Sequence, residues 1–289
     1  MDAATPRRRV TPFGLRRRRF VGALGQVITA LCASLAAGTL VVILLYVFMQ
    51  GVHALNPAFV TQLPRPVGMA GGGVANGILG SIVIVGIAAL LAVPMGVLVG
   101  VYLAFYGRGP FPEGIRYLGE VLSGVPSIAI GLFAYTLLVQ PLGHFSAFSA
   151  SVAFAMLMLP LVIRTSDEAL RAVPVSVREG ALALGIPTYA AVTHVVLPAA
   201  RPLITTGVLL AVARITGETA PLLFTAFGSQ FWEYNPFNPM AELSLQIFTY
   251  AISPYTEWHE QAWAGALVLI AAVFVLNVLA RISLRGARR

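Results

Sequence analysis

Long apolar stretches with almost no charge dominate this sequence and restrict the folds open to it. Only 10% of its 289 residues are charged and 58% are hydrophobic, whereas about 25% of a typical soluble domain is charged. About 20 apolar residues are enough to cross a bilayer as a helix. The sequence therefore predicts an all-α polytopic membrane protein with six transmembrane helices, over residues 20–49, 74–106, 118–139, 148–163, 203–227 and 262–279. We expect Pro94 to break the second span and Pro160 to end the fourth.

The distribution of arginine predicts the orientation of these helices. With both termini in the cytoplasm, every arginine falls in an inner segment except Arg65, in an outer loop, and Arg214, in the fifth span. Positively charged loop residues remain on the cytoplasmic side. The prediction is a basic cytoplasmic tail at 1–19, a transmembrane domain at 20–281 and a short basic tail at 282–289, with no affinity for nucleic acid.

Several chemistries are excluded by residue types that are absent or rare. All 19 basic residues are arginine, so the chain has no P-loop lysine for nucleotide phosphates and no lysine for Schiff-base catalysis. The single cysteine, Cys32, cannot form a disulfide or a CxxC site within one chain. The four histidines are widely separated in the sequence, which predicts no metal site. We expect a chain without catalytic activity and without a cofactor of its own.

The inner loop at 164–201 has an unusually well defined pattern of helix signals. Ser176 and Glu179 fit a capping box, which predicts a short helix from Val177 to near Leu184. Gly185 suits the position after a helix end, Thr188 can cap a second helix, and Leu197-Pro198 would end it. Val177, Ala181 and Leu184 then share one face. This face either inserts into a groove on a partner or lies on the inner leaflet.

The same loop resembles the EAA loop of ABC importer permeases. The matching pattern is Glu179-Gly180-Ala181, three residues, Gly185, nine residues and then Val195-Val196-Leu197-Pro198, with Gly180 and Val195 where the family has alanine and isoleucine. The resemblance implies the type I importer permease architecture and a loop that docks into a separate ATPase, which binds the ATP and magnesium. It implies that the residues coupling the two chains are Glu179, Gly180, Ala181, Gly185, Leu197 and Pro198.

The fifth span contains Arg214 and Glu218, two ionisable residues at bilayer depth, where each costs at least about 2.5 kcal/mol. At positions i and i+4 they can pair on one helical face, with Thr225 on the same polar stripe. Two interpretations are open. The pair either locks helix packing, with Gly207, Ala211 and Gly217 as small contact residues, or belongs to an anion site in which Glu218 holds the arginine while the site is empty. Pro221 predicts a broken helix here.

Several segments resemble the PstA-type permease subunits of phosphate importers, most clearly residues 213–226, 123–127, 159–170 and 185–206. The resemblance implies phosphate import across the bacterial cytoplasmic membrane by alternating access. It implies a homologous second permease subunit (PstC-like), an ATPase dimer inside (PstB-like) and a phosphate-binding protein outside (PstS-like). Arg214, Glu218 and, at the inner mouth, Arg164 would then contact the pathway, and Thr225, on the polar stripe of the fifth span, is expected to line it as well. Another oxyanion such as molybdate, sulfate or phosphonate, a phosphate-sensing scaffold and an anion channel are the alternatives.

The third predicted span contains Ser123 and Ser127 on either side of Pro126. Serines beside a proline in a membrane helix either line a pathway or bond back to a carbonyl of their own helix. The sequence leaves both interpretations open.

Overall fold

The computed structural model describes residues 12–66, 69 and 71–286. Side chains of residues 12–19, 279–281 and 283–286 are not described, and most of the predicted amino-terminal tail and the last residues of the predicted carboxyl-terminal tail lie outside the described residues. The chain divides into two compact units, residues 1–49 and 50–289. In its described part the first unit is helix α1, Pro12–Gly51, up to Met49, and its apolar side chains from Phe20 onward are exposed except that of Val47, which is buried.

The second unit is built from helices alone in the part of the chain that the structure describes, which confirms the predicted all-α class. Three π-helical turns, Tyr102–Tyr106, Tyr135–Val139 and Val192–Val196, continue or join α-helices. The α-helices are α2 (Pro57–Thr61), α3 (Ala75–Val101), α4 (Pro110–Gly124), α5 (Ser127–Ala134), α6 (Gln140–Leu142), α7 (Ala147–Arg171), α8 (Val175–Ala183), α9 (Thr188–Ala191), α10 (Leu197–Thr216), α11 (Leu222–Thr225), α12 (Leu243–Ala251) and α13 (Thr256–Gly286).

Five helices in the described residues are long and apolar enough to cross a membrane: Phe20–Gly51, Ala75–Tyr106, Ala147–Arg171, Thr188–Thr216 and Thr256–Val278. The pair Pro110–Gly124 and Ser127–Leu142 passes the same test together but is bent by 101°. Counting this pair as one span gives the six that the sequence predicts. The bend falls at Val125 and Pro126, inside the span predicted at 118–139, because both residues have extended ψ angles.

Prolines do not end the helices where the sequence predicts. The fourth span does not end at Pro160, since α7 continues eleven residues beyond it to Arg171, and Pro94 lies inside α3. Leu197-Pro198 does not stop a helix either, because the π-helical turn Val192–Val196 leads directly into α10. A proline removes one helical hydrogen bond, and membrane helices tolerate this loss when neighbouring helices or a wider turn compensate for it.

The core of the second unit lies around α7, which packs against α3 and α10. Phe154, Met158 and Val162 of α7 are fully buried in one cluster with Ile84 of α3 and Ile215 of α10. Close approach of α7 and α10 depends on a small residue, because a Cβ added at Gly207 would clash with Oγ1 of Thr165. This packing fixes α10, whose end carries the candidate site.

Candidate functional site

The fifth predicted span is broken between its two ionisable residues. Helix α10 ends at Thr216 and Gly217 caps it, so Arg214 lies in the last helical turn while Glu218 lies beyond it. The predicted i, i+4 ion pair between Arg214 and Glu218 is absent from the ion pairs of the described residues. The prediction is wrong because the helix ends at Thr216, five residues before Pro221, and the two side chains no longer share a helical face.

Glu218 instead contacts a residue of the bent third span. The hydroxyl of Ser127 donates a hydrogen bond to Oε1 of Glu218 at 2.5 Å, whereas Ser123 donates to the carbonyl of Gly119 in its own helix. Ser123 therefore bonds back to its own helix, as one of the two interpretations predicts, whereas Ser127 bonds to a side chain of another segment. The guanidinium of Arg214 is exposed, and no hydrogen bond or ion pair of it is found among the described residues.

The backbone at this break is held by contacts of its own. A Cβ added at Gly131 of α5 would lie 2.5 Å from Cα of Pro221, so α5 and the start of α11 are in close contact. The amide of Glu218 donates to the carbonyl of Ile215 at 3.0 Å. The hydroxyl of Ser244 lies 3.2 Å from the carbonyl oxygen of Glu218. The break is therefore a defined structure and not a frayed helix end.

A buried carboxylate, Glu242, lies next to this break and was not anticipated from the sequence. Its Oε1 accepts a hydrogen bond from Ser81 of α3, and its Oε2 accepts hydrogen bonds from Ser244 and from the amide of Leu245. Glu242 thereby caps α12 and connects it to α3. Burial raises the pKa of the Glu242 carboxyl, and the hydrogen bonds oppose that effect. The sequence signal for this cap is an acidic residue directly before an apolar helix.

Thr225 and the predicted packing residues separate into different environments. Thr225 is fully buried and its hydroxyl donates to the carbonyl of Pro221 within α11, so it is not presented to the surface that carries Arg214. Gly207 and Ala211 are buried in helix contacts, as predicted for packing residues. Gly217 has no atom within 4 Å of an added Cβ, so its predicted packing contact is wrong.

Arg164 lies in the second half of α7, in a region that contains several charged side chains. Its Nε donates to Oε1 of Glu168 at 2.9 Å, in an i, i+4 pair whose side chains are 65% and 62% exposed. A cavity of about 120 Å³ adjoins this pair and is lined in addition by Arg116, Glu120 and Asp167. A solvated pair of this kind contributes little to stability, which leaves the arginine available for other partners.

Asp167 forms a clamp that the sequence did not reveal. Its two carboxylate oxygens accept hydrogen bonds from Nε of Arg116 at 2.8 Å and from Nε of Arg171 at 2.7 Å. Both arginines also donate to the carbonyl oxygen of Leu103, each at 2.8 Å. The side chain of Asp167 is 9% exposed. These four hydrogen bonds from arginine join the π-helical turn after α3 to α4 and α7.

We call residues 172–196 the coupling segment. Its first helix, α8, begins at Val175 after Pro174, so Ser176 is not a side-chain cap and the predicted capping box is wrong. Thr188 likewise begins α9 without capping it, because Pro187 occupies the cap position. Proline suits a helix start because it has no amide hydrogen to leave unsatisfied. Gly185 adopts φ +76, as expected for the corner between two helices.

The exposed face of the coupling segment differs from the predicted one. Ala181 is buried, whereas Val175, Leu184 and Tyr189 are 65%, 81% and 67% exposed. Glu179 and Gly180 are exposed on α8. Leu197 is half-buried and Pro198 is exposed at the start of α10. The segment therefore presents a surface with apolar and acidic groups.

The chain is similar to known proteins in both its sequence and its fold. The Phosphate transport system permease protein PstA of Yersinia pestis is 43% identical over 84% of this chain and 83% of its own length, and that of Xylella fastidiosa (strain Temecula1 / ATCC 700964) is 42% identical over 92% and 93%. The inward-facing MetNI methionine ABC transporter superposes with a TM-score of 0.63 at 16% identity, over 75% of this chain and 96% of that one, which indicates a shared fold.

Residues 96–289 match the family described as binding-protein-dependent transport system inner membrane component. This match includes the break between Arg214 and Glu218, the Asp167 clamp and the coupling segment. Together with the similarity to PstA permeases over most of the chain, it shows that the chain belongs to this family of transport system inner membrane components.

Proposed function

We propose that this protein is the phosphate-translocating permease subunit of an ATP-driven importer in a bacterial cytoplasmic membrane. The observation that carries the proposal is the exposed Arg214 at the broken fifth span, whose neighbouring carboxylate is bonded to another residue. A guanidinium offers a planar fork that matches the oxygens of phosphate. The names of the PstA relatives support phosphate as the anion.

In the proposed mechanism, the chain pairs with a homologous permease subunit, a phosphate-binding protein delivers the anion from outside, and an ATPase dimer inside binds ATP and magnesium. The exposed surface of the coupling segment suits the ATPase contact, since Leu184 and Tyr189 are large exposed hydrophobic residues in the same segment as the exposed Glu179. Closure of the ATPase would move this segment, and the helices would reorient around Arg214. Both termini lie in the cytoplasm in this proposal, which reporter fusions at each end would check.

The deciding experiment is phosphate uptake into proteoliposomes that contain the complete complex with Arg214→Gln or with the native chain, with ATP hydrolysis measured in the same vesicles. We expect Arg214→Gln to abolish most uptake while the complex assembles normally. Arg65→Gln is a matched control, because it removes an arginine from the predicted outer loop. Unchanged uptake in Arg214→Gln would refute the proposed site.

Competition by other anions tests the substrate. Excess unlabelled phosphate should suppress uptake of labelled phosphate, whereas sulfate and molybdate at the same concentration should not. Uptake of sulfate, molybdate or phosphonate in preference to phosphate would assign the chain to another oxyanion importer. A complex that changes phosphate-dependent signalling without any transport would instead be a sensor, and flux without ATP would identify a channel.

A further inference from the structure

Two interrupted spans meet at the hydrogen bond between Ser127 and Glu218. Ser127 is the first residue of α5, directly after the 101° bend of the third span. Glu218 is the second residue beyond the end of α10. Both side chains are half-buried, and they are 91 positions apart in the sequence. Neither interruption alone would place a donor beside this carboxylate.

Glu218 has two possible partners with opposite consequences for Arg214. In a continuous helix, the i, i+4 spacing would bring the carboxylate to the guanidinium. The helix ends at Thr216, and the carboxylate accepts its hydrogen bond from Ser127 instead. An anion that binds Arg214 then does not have to displace a carboxylate, and binding avoids the corresponding loss of free energy.

The backbone contacts of the break separate the role of Ser127 from that of the fold around it. The Gly131–Pro221 contact and the Ile215–Glu218 hydrogen bond fix the main chain. Within the described residues, the hydroxyl of Ser127 donates its hydrogen bond to the side chain of Glu218 and not to the main chain. Removing this hydroxyl deprives the carboxylate of a donor and leaves the main-chain contacts in place. Although the two side chains no longer share a helical face, Arg214 lies only four residues before Glu218 in the sequence. Its guanidinium is therefore the nearest cation in the sequence to a half-buried carboxylate that has lost its hydrogen-bond donor.

We propose that Ser127 is a positioning residue that holds the Glu218 carboxylate away from Arg214 and so keeps the guanidinium available to the transported anion. The inference rests on the proposed function and extends it. It assigns a role to the bent third span and replaces the expected Arg214–Glu218 pair with a Ser127–Glu218 pair. The anion competes with no carboxylate as long as the serine hydroxyl is present.

The test compares the apparent KM and kcat of phosphate uptake by the reconstituted complex. We expect Ser127→Ala to raise KM about fivefold, because a solvated Arg214–Glu218 ion pair then competes with the substrate. We expect kcat to stay within about twofold of the native value, because this competition weakens ground-state and transition-state binding alike. Ser127→Thr retains the hydroxyl and should restore KM. Ser123→Ala, which removes a hydroxyl bonded within its own helix, should match the native chain.

The double variant Ser127→Ala with Glu218→Gln separates positioning from structural damage. A neutral amide does not pair with Arg214 as a carboxylate does, so we expect the KM of the double variant to equal that of Glu218→Gln alone. A native KM in Ser127→Ala, or a raised KM that the second substitution leaves unchanged, would overturn the inference. If Arg214→Gln transports normally, the proposed function fails as well; if Arg214→Gln is inactive and Ser127→Ala has a native KM, only the positioning role fails.

Discussion

The guanidinium of Arg178 lies over the aromatic ring of Phe105, with its central carbon 5.5 Å from the ring centroid. Arg178 belongs to α8 in the coupling segment, and Phe105 belongs to the π-helical turn that extends α3. The contact therefore connects the surface proposed for the ATPase directly to a membrane-spanning helix. Movement of α8 has a short physical route to α3.

Replacing Phe105 should weaken this connection. A cation–π contact at a solvent-accessible site contributes about 0.5–1 kcal/mol, so we expect Phe105→Leu to lower the phosphate transported per ATP hydrolysed by about two- to fivefold. Phe105→Tyr keeps an aromatic face and should remain close to the native value. Equal losses in both variants would mean that the ring face does not carry the coupling.

Asp167 should contribute to stability far more than the exposed pair on the same helix. Asp167→Ala leaves Arg116 and Arg171 beside each other without the carboxylate. Breaking a fully buried ion pair lowers the free energy of unfolding by about 3–5 kcal/mol. We expect a loss of about 2 kcal/mol here, because both arginines are partly solvated. Thermal unfolding of the purified complex in detergent measures it. Arg164→Gln, at an exposed i, i+4 pair, should change the melting temperature little; equal shifts would contradict the clamp.

Gly185 and Gly180 provide a matched pair in the coupling segment. An added Cβ meets no atom within 4 Å at either position, but only Gly185 has a positive φ, +76. We expect Gly185→Ala to lower the free energy of unfolding by about 1 kcal/mol through backbone strain. Gly180→Ala should stabilise α8 slightly. Uptake and melting temperature should fall in the first variant only. Gly185→Asn should be tolerated better than Gly185→Ala, since asparagine visits this region of φ more readily.

Glu242 should make the stability of the protein dependent on pH. Because burial raises its pKa in the folded state, the folded protein binds this proton more tightly than the unfolded chain does. Its contribution is fully present below the unfolded pKa of about 4.3 and is lost as pH rises towards the folded pKa. Glu242→Gln removes the titration. We therefore expect the melting temperature of the native chain to fall relative to that of Glu242→Gln as the pH rises above about 4.3; parallel curves would contradict this prediction.

Much of the architecture could be predicted from local sequence because its causes are local. Apolar length predicts which helices can span a bilayer, and the αL preference of glycine predicts the corner at Gly185. Helix ends at proline could not be predicted in the same way. Pro160 and Pro198 remain within continuous helical paths, since the packing around α7 and a π-helical turn compensate for the missing hydrogen bond.

The sequence by itself determined the helical class, the spans, the corner at Gly185 and the unusual presence of Arg214 and Glu218 in an apolar segment, because each follows from the chemistry of neighbouring residues. Only the tertiary structure decided which groups these residues contact. Glu218 bonds to Ser127 across 91 positions, and Glu242 bonds to Ser81 across 161. Such partners depend on where helices break and how they pack, and the free energy of that packing is shared among residues far apart in the chain.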